Sequence, residues 1–114
     1  MGFIGLNYIA WAAAFAPAVE VGWRLGSVYW GKGYATEGAK ACLNYGFRKC
    51  GLKEIVSFTV PANVRSIQVM QKIGLRRDWN GDFAHPKLPA DHPLSEHVLY
   101  RLTAHEYLEA KENA

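Results

Sequence analysis

The sequence predicts a mixed α/β sheet with flanking helices, and three observations carry that prediction. Residues 19–25 and 54–60 read as strands, and between them lie a glycine-punctuated loop and a helix-like run over 36–49. A strand, helix, strand order implies a right-handed crossover and a parallel strand pair. A second helical stretch over 63–72 is followed by two short β-type runs, which adds an antiparallel pair and makes the sheet mixed. Finally, 114 residues of which 50% are hydrophobic suit one domain, residues 1–114, able to bury a modest core, and exclude disorder.

Taken in order, Phe3 to Ile9 is an apolar strand, and 11–17 is an alanine-rich connection ending at Pro17. In the next strand Glu20, Gly22 and Arg24 alternate with Val21, Trp23 and Leu25, so one face packs while the other is chemically distinct. Over 36–49, Ala39, Cys42, Leu43 and Phe47 recur at helical spacing, and Gly51 stands where a helix C-terminal glycine belongs. The β-branched run 54–60 is closed by Pro61. Asn63 is the expected N-cap of the helix 63–72, and Gly74 its terminator. Residues 75–79 and 97–102 form the last strand pair across a loop at 80–96, and Thr103 caps a terminal helix.

The stretch Trp30-Gly31-Lys32-Gly33-Tyr34-Ala35-Thr36-Glu37 sits at the junction of strand and helix. Such a junction gathers unpaired backbone N–H groups at the positive end of a helix dipole, a geometry that binds phosphate. It is not a Walker loop, because Lys32 precedes the second glycine and no Gly-Lys-Ser/Thr follows. The dinucleotide fingerprint fails too, since Thr36 occupies the position of its third glycine.

The loop resembles the acetyl-coenzyme A signature of the GNAT acetyltransferases, Gln/Arg-x-x-Gly-x-Gly/Ala, with Trp30 departing at the first position. Its form is similar to that of the ribosomal-protein N-acetyltransferase-like branch. The segments 19–25, 54–60 and 97–102 fall in the family's order, and 63–75 resembles its Asn-x-x-Ser/Ala…Gly-Phe helix. The resemblance implies acetyl transfer from acetyl-CoA to a primary amine of a protein N-terminus or small molecule. It also implies that backbone N–H groups of Lys32, Gly33, Tyr34, Ala35 and Thr36 hold the diphosphate. The strand around Trp23, Arg24 and Leu25 would border the acetyl carbonyl, and Asn63 would touch the pantetheine. Glu20 stands at the general-base position, where burial would raise its pKa. The family's tyrosine acid is replaced by Met70, and Ser66 looks like the hydroxyl offered instead.

Each role has a plainer counterpart. Glu20 can be a solvent-facing strand carboxylate, Ser66 can back-bond within its helix, Asn63 can serve only as a cap, and the loop can be an ordinary helix start. The resemblance starts partway through the family's fold, after a strand, two helices and a strand that normally line the acceptor groove. It therefore leaves the acceptor unread and implies a truncated domain whose first sheet edge is covered by a second copy, a homodimer. A non-catalytic remnant that binds CoA is the alternative.

The net charge of +3 concentrates mid-chain, in residues such as Lys32, Lys40, Arg65, Lys72, Arg76 and Arg77. This suits an anionic cofactor. A basic nucleic-acid-binding module is a third reading, disfavoured because no RNP-like motif accompanies the charge. Cys42 and Cys50 lie too far apart on one helix for a disulfide, so reduced thiols and a cytoplasmic setting are expected. His85, His92 and His97 match no zinc spacing, and no metal is expected. The apolar run 3–16 ends in a signal-like Ala-Phe-Ala, but it lacks a basic start, is too short to span a bilayer and contains Asn7.

Overall fold

The computed structural model describes residues 3–9, 18–24, 33–84 and 96–112. Strand β1 (Phe3–Ile9) and β2 (Ala18–Arg24) form an antiparallel pair over their whole length, from Phe3 opposite Arg24 to Ile9 opposite Ala18. Helix α1 (Tyr34–Asn44) follows, then β3 (Glu54–Thr59), α2 (Val64–Lys72), β4 (Arg76–Ala84), β5 (Glu96–Thr103) and α3 (Ala104–Glu112). Among the described residues the strands make one sheet in the order β1-β2-β3-β5-β4. Only β2 and β3 run parallel, as the crossover through α1 requires.

Helix α1 starts at Tyr34, two residues before the expected start. It continues into a π-helical turn over Tyr45–Lys49 instead of ending as regular α-helix. The wider turn brings Gly46 against β3, where an added Cβ would lie 2.8 Å from Ile55 Cδ1. A second close approach is at Gly38, whose missing side chain lets α1 rest on Ile4 of β1. Both expected helix terminators, Gly51 and Gly74, have positive φ.

The last strand pair differs more. Strand β4 runs on to Ala84, and Glu96 already belongs to β5, so the expected loop 80–96 is strand at both margins. The register slips between Asp78 and Phe83. Asp78 Oδ1 accepts the Asn80 N–H at 3.1 Å there, a local Asx turn that takes residues out of the ladder without ending it. The expected loop at 80–96 marks the interruption, and the sequence could not show that the strand resumes after it.

Alternation sorts the sheet into two faces. Val21, Ile55, Val98, Tyr100 and Leu102 face Leu43, Phe47, Met70 and Tyr107 from the helices and form the main core. Each such side chain contributes about 1.5–3 kcal/mol when fully buried. Phe47 stacks on Tyr107 with ring centroids 4.9 Å apart, which ties α3 to the π turn. Thr103 and Glu106 form a reciprocal capping box, each accepting the other's backbone N–H at 3.0–3.1 Å. The opposite face carries a smaller cluster of Ile9, Val56 and Leu99.

Candidate active site

Among the described residues, strands β2 and β3 share a single register pair, Glu20 with Val56, and beyond it the ladder opens. The Ser57 hydroxyl, 2% exposed, donates to the Val21 carbonyl at 2.9 Å, so a side chain satisfies this main-chain acceptor across the parting strands. A cavity of about 880 Å³ occupies the opening, a size usual for small-molecule sites. Gly22 and Trp23 of β2 line it, as do Ser57, Phe58 and Thr59 of β3.

Both helix starts converge on the same space. Gly33, with φ of 77°, is the left-handed N-cap of α1, and no side chain caps the helix. The first intrahelical bond runs from the Glu37 N–H to the Gly33 carbonyl at 2.9 Å. The N–H groups of Ala35 and Thr36 precede it and so lack an intrahelical acceptor. Gly33, Tyr34, Ala35 and Thr36 all line the cavity, as do Asn63 and Ser66 at the start of α2. Asn63 caps α2, its Oδ1 accepting the Ser66 N–H at 3.2 Å. The Ser66 Oγ does not bond back within the helix; it accepts the Trp23 indole N–H at 3.2 Å across the opening. Arg65 and Lys72 add positive charge to the wall.

Glu20 lies on the sheet face opposite the helices, in register with Asn7 of β1, and both line the cavity. Burial pushes its carboxyl from 4.5 up to about 7. The cavity thus joins uncapped helix N–H groups, an indole-anchored hydroxyl and a carboxyl that titrates near neutrality. Backbone dipoles that suit an anion and a carboxyl that can accept a proton line one cavity.

Of the residues singled out in the sequence, Glu20, Trp23, Gly33, Tyr34, Ala35, Thr36, Asn63 and Ser66 meet at this cavity. Arg24 is the last residue of β2. Leu25 and Lys32, with Trp30 and Gly31, lie outside the described residues, as do His85 and His92. Met70 is 1% exposed and belongs to the core, with one side on the cavity. Ser57, Asn7 and the Gly5–Gly22 pair were not anticipated. A hydroxyl placed between Val56 and Phe58 in the strand Glu54–Thr59 was the available signal for Ser57; the glycine pair becomes visible only once the register is known. Among the described residues no three His, Cys, Asp or Glu side chains cluster to hold a metal, and no helix is long and apolar enough to cross a membrane.

This arrangement is that of an acyl-CoA N-acyltransferase fold, and the chain belongs to the acetyltransferase (GNAT) domain family, whose model matches residues 1–76. The uncharacterized N-acetyltransferase YnaD of Bacillus subtilis is 46% identical over 59 residues, 52% of this chain and 35% of that protein. The FsC-acetyl coenzyme A-N(2)-transacetylase of Aspergillus fumigatus is 41% identical over 56 residues, 49% of this chain and 24% of that protein. The crystal structure of a GNAT-family acetyltransferase from Bacillus anthracis superimposes with a TM-score of 0.70 at 32% identity, covering 89% of this chain and 58% of that one. The chain therefore spans only part of the length of these relatives.

Proposed function

We propose that the protein is an N-acetyltransferase that takes its acetyl group from acetyl-CoA and transfers it to a primary amine. The observation that carries this reading is that one cavity holds the uncapped α1 start, Ser66 and Glu20 together. Acetyl-CoA supplies an activated acyl group as a thioester. Backbone N–H groups from Gly33 to Thr36, with Lys32 before them, hold its diphosphate at the positive helix end, while Trp23, Arg24 and Leu25 border the acyl group and Asn63 the pantetheine. Glu20 takes the proton that the amine loses as the C–N bond forms. As the C–S bond breaks, the thiolate accepts a hydrogen bond from Ser66. Trp23 occupies a lone pair of the Ser66 oxygen, so the hydroxyl proton remains available as a donor. Family membership and the relative named as an acetyl coenzyme A transacetylase support the donor.

The acceptor class, a protein N-terminus or a small amine, belongs to this proposal, as do a cytoplasmic setting and a homodimer. Cys42 and Cys50, both free thiols, support a reducing compartment. Tyr8, 65% exposed on β1 at the sheet edge among the described residues, supports a second copy there. Sedimentation velocity measures the latter directly.

Calorimetry with acetyl-CoA, followed by thiol-release assays over a set of primary amines, tests the function. Gly33→Glu should abolish binding by placing a carboxylate against the diphosphate and a side chain at a left-handed φ. Affinity equal to wild type would remove the cradle. A CoA-binding domain without turnover is the second reading, favoured by the non-donating, buried Met70. Binding without thiol release for any amine would establish it.

A further inference from the structure

On the sheet face that carries Glu20, the neighbouring register pair is Gly5 opposite Gly22. Two glycines facing each other add no side chains of their own to that patch, and all four residues Gly5, Asn7, Glu20 and Gly22 line the cavity. Same-face positions along a strand are about 7 Å apart, so the patch begins one side-chain length from the carboxyl. A Cβ built on Gly5 meets nothing within 4 Å. Packing therefore does not demand glycine here, and its φ lies outside the left-handed range. At Gly38, by contrast, an added Cβ would lie 2.5 Å from Ile4 Cδ1. The missing side chain at Gly5 leaves room in the cavity rather than room for the fold.

We propose that Gly5 is a specificity-determining residue, which with Gly22 forms the floor of an acceptor subsite for primary amines whose amine-bearing carbon is branched. An amine nitrogen at Glu20 places the substituents of its carbon above this floor. A linear amine has no group to put there, so the width matters only for a branched one. Asn7, exposed beside Glu20, offers an amide donor and acceptor to a polar group on the same carbon. The assignment rests on the acetyl-transfer reading above.

Glycinamide and leucinamide, which differ only in the substituent on the amine carbon, are the probes. Acetyl-CoA affinity is measured alongside for each variant. Wild type should acetylate leucinamide at least as efficiently as glycinamide. Gly5→Val should lower kcat/KM for leucinamide at least tenfold, chiefly through KM, and that for glycinamide no more than twofold, with acetyl-CoA affinity and thermal midpoint kept. Gly5→Ala should fall between them. Equal losses for both amines, no loss for either, or a wild type that binds acetyl-CoA yet acetylates neither would overturn the assignment. Absence of acetyl-CoA binding by wild type would instead strike the acetyl-transfer reading itself.

Discussion

At the scale of single residues, the carboxyl of Glu20 links function to stability with opposite signs. Its pKa rises from 4.5 to about 7 on folding because burial disfavours the charged form. Between those values the folded state holds a proton that the unfolded chain has released, so stability falls as pH rises through this window and stays lower above about 7. The proposed acetylation runs the other way, since in that reading the carboxylate is the base. We expect the rate to climb through about pH 7 and Glu20→Gln to depress it while sparing acetyl-CoA affinity. The same substitution should flatten the loss of stability between pH 4.5 and 7, read by chemical denaturation at several pH values. A pH–rate profile unchanged by Glu20→Gln would remove the residue as base. Ser57 makes a second residue-scale case: Ser57→Ala leaves the Val21 carbonyl without its side-chain donor and should cost about 1–3 kcal/mol, measured in urea.

At the scale of elements, the proposed site depends on how closely α1 sits on the sheet, because in that reading α1 supplies the N–H cradle and β2 the carboxyl. Gly38 sets that distance. A Cβ there would stand 2.5 Å from Ile4 Cδ1 and 3.1 Å from its Cγ2, so Gly38→Val should destabilise by roughly 1–3 kcal/mol despite the better helix propensity of valine. Trimming the partner should relieve it. The double variant Ile4→Ala with Gly38→Val should lose clearly less than the sum of the singles, and strict additivity would show that the two residues do not meet. Most element assignments were legible beforehand. The spacing of Ala39, Leu43 and Phe47, the Asn63 cap and the glycines at 51 and 74 are local signals, and local backbone preferences act without tertiary help. The π turn at Tyr45–Lys49 and the slip in β4 were not legible, because each arises from contacts with strands distant in sequence.

At the scale of the whole molecule, the cavity is the place where a parallel strand pair stops pairing, and ligand binding there should stabilise the fold as a unit. A ligand that binds only the folded state adds about 2.7 kcal/mol at a hundredfold excess over its Kd. Acetyl-CoA should therefore raise the thermal midpoint by several degrees in wild type and not in Gly33→Glu; an unmoved wild-type midpoint at saturating acetyl-CoA would contradict the proposed site. The sequence by itself determined the strand, helix, strand order, the glycine-marked helix start and the Asn63 cap, since these follow from periodicity and capping along the chain, whereas Glu20 and Ser66 were singled out by family resemblance. Tertiary structure alone decided that Ser66 turns to Trp23 rather than to its own helix, that Ser57 takes the Val21 carbonyl, and that Gly5 lies opposite Gly22. These are relations between residues 17 to 43 positions apart, and only cross-strand register and the packing of helix on sheet bring such residues together.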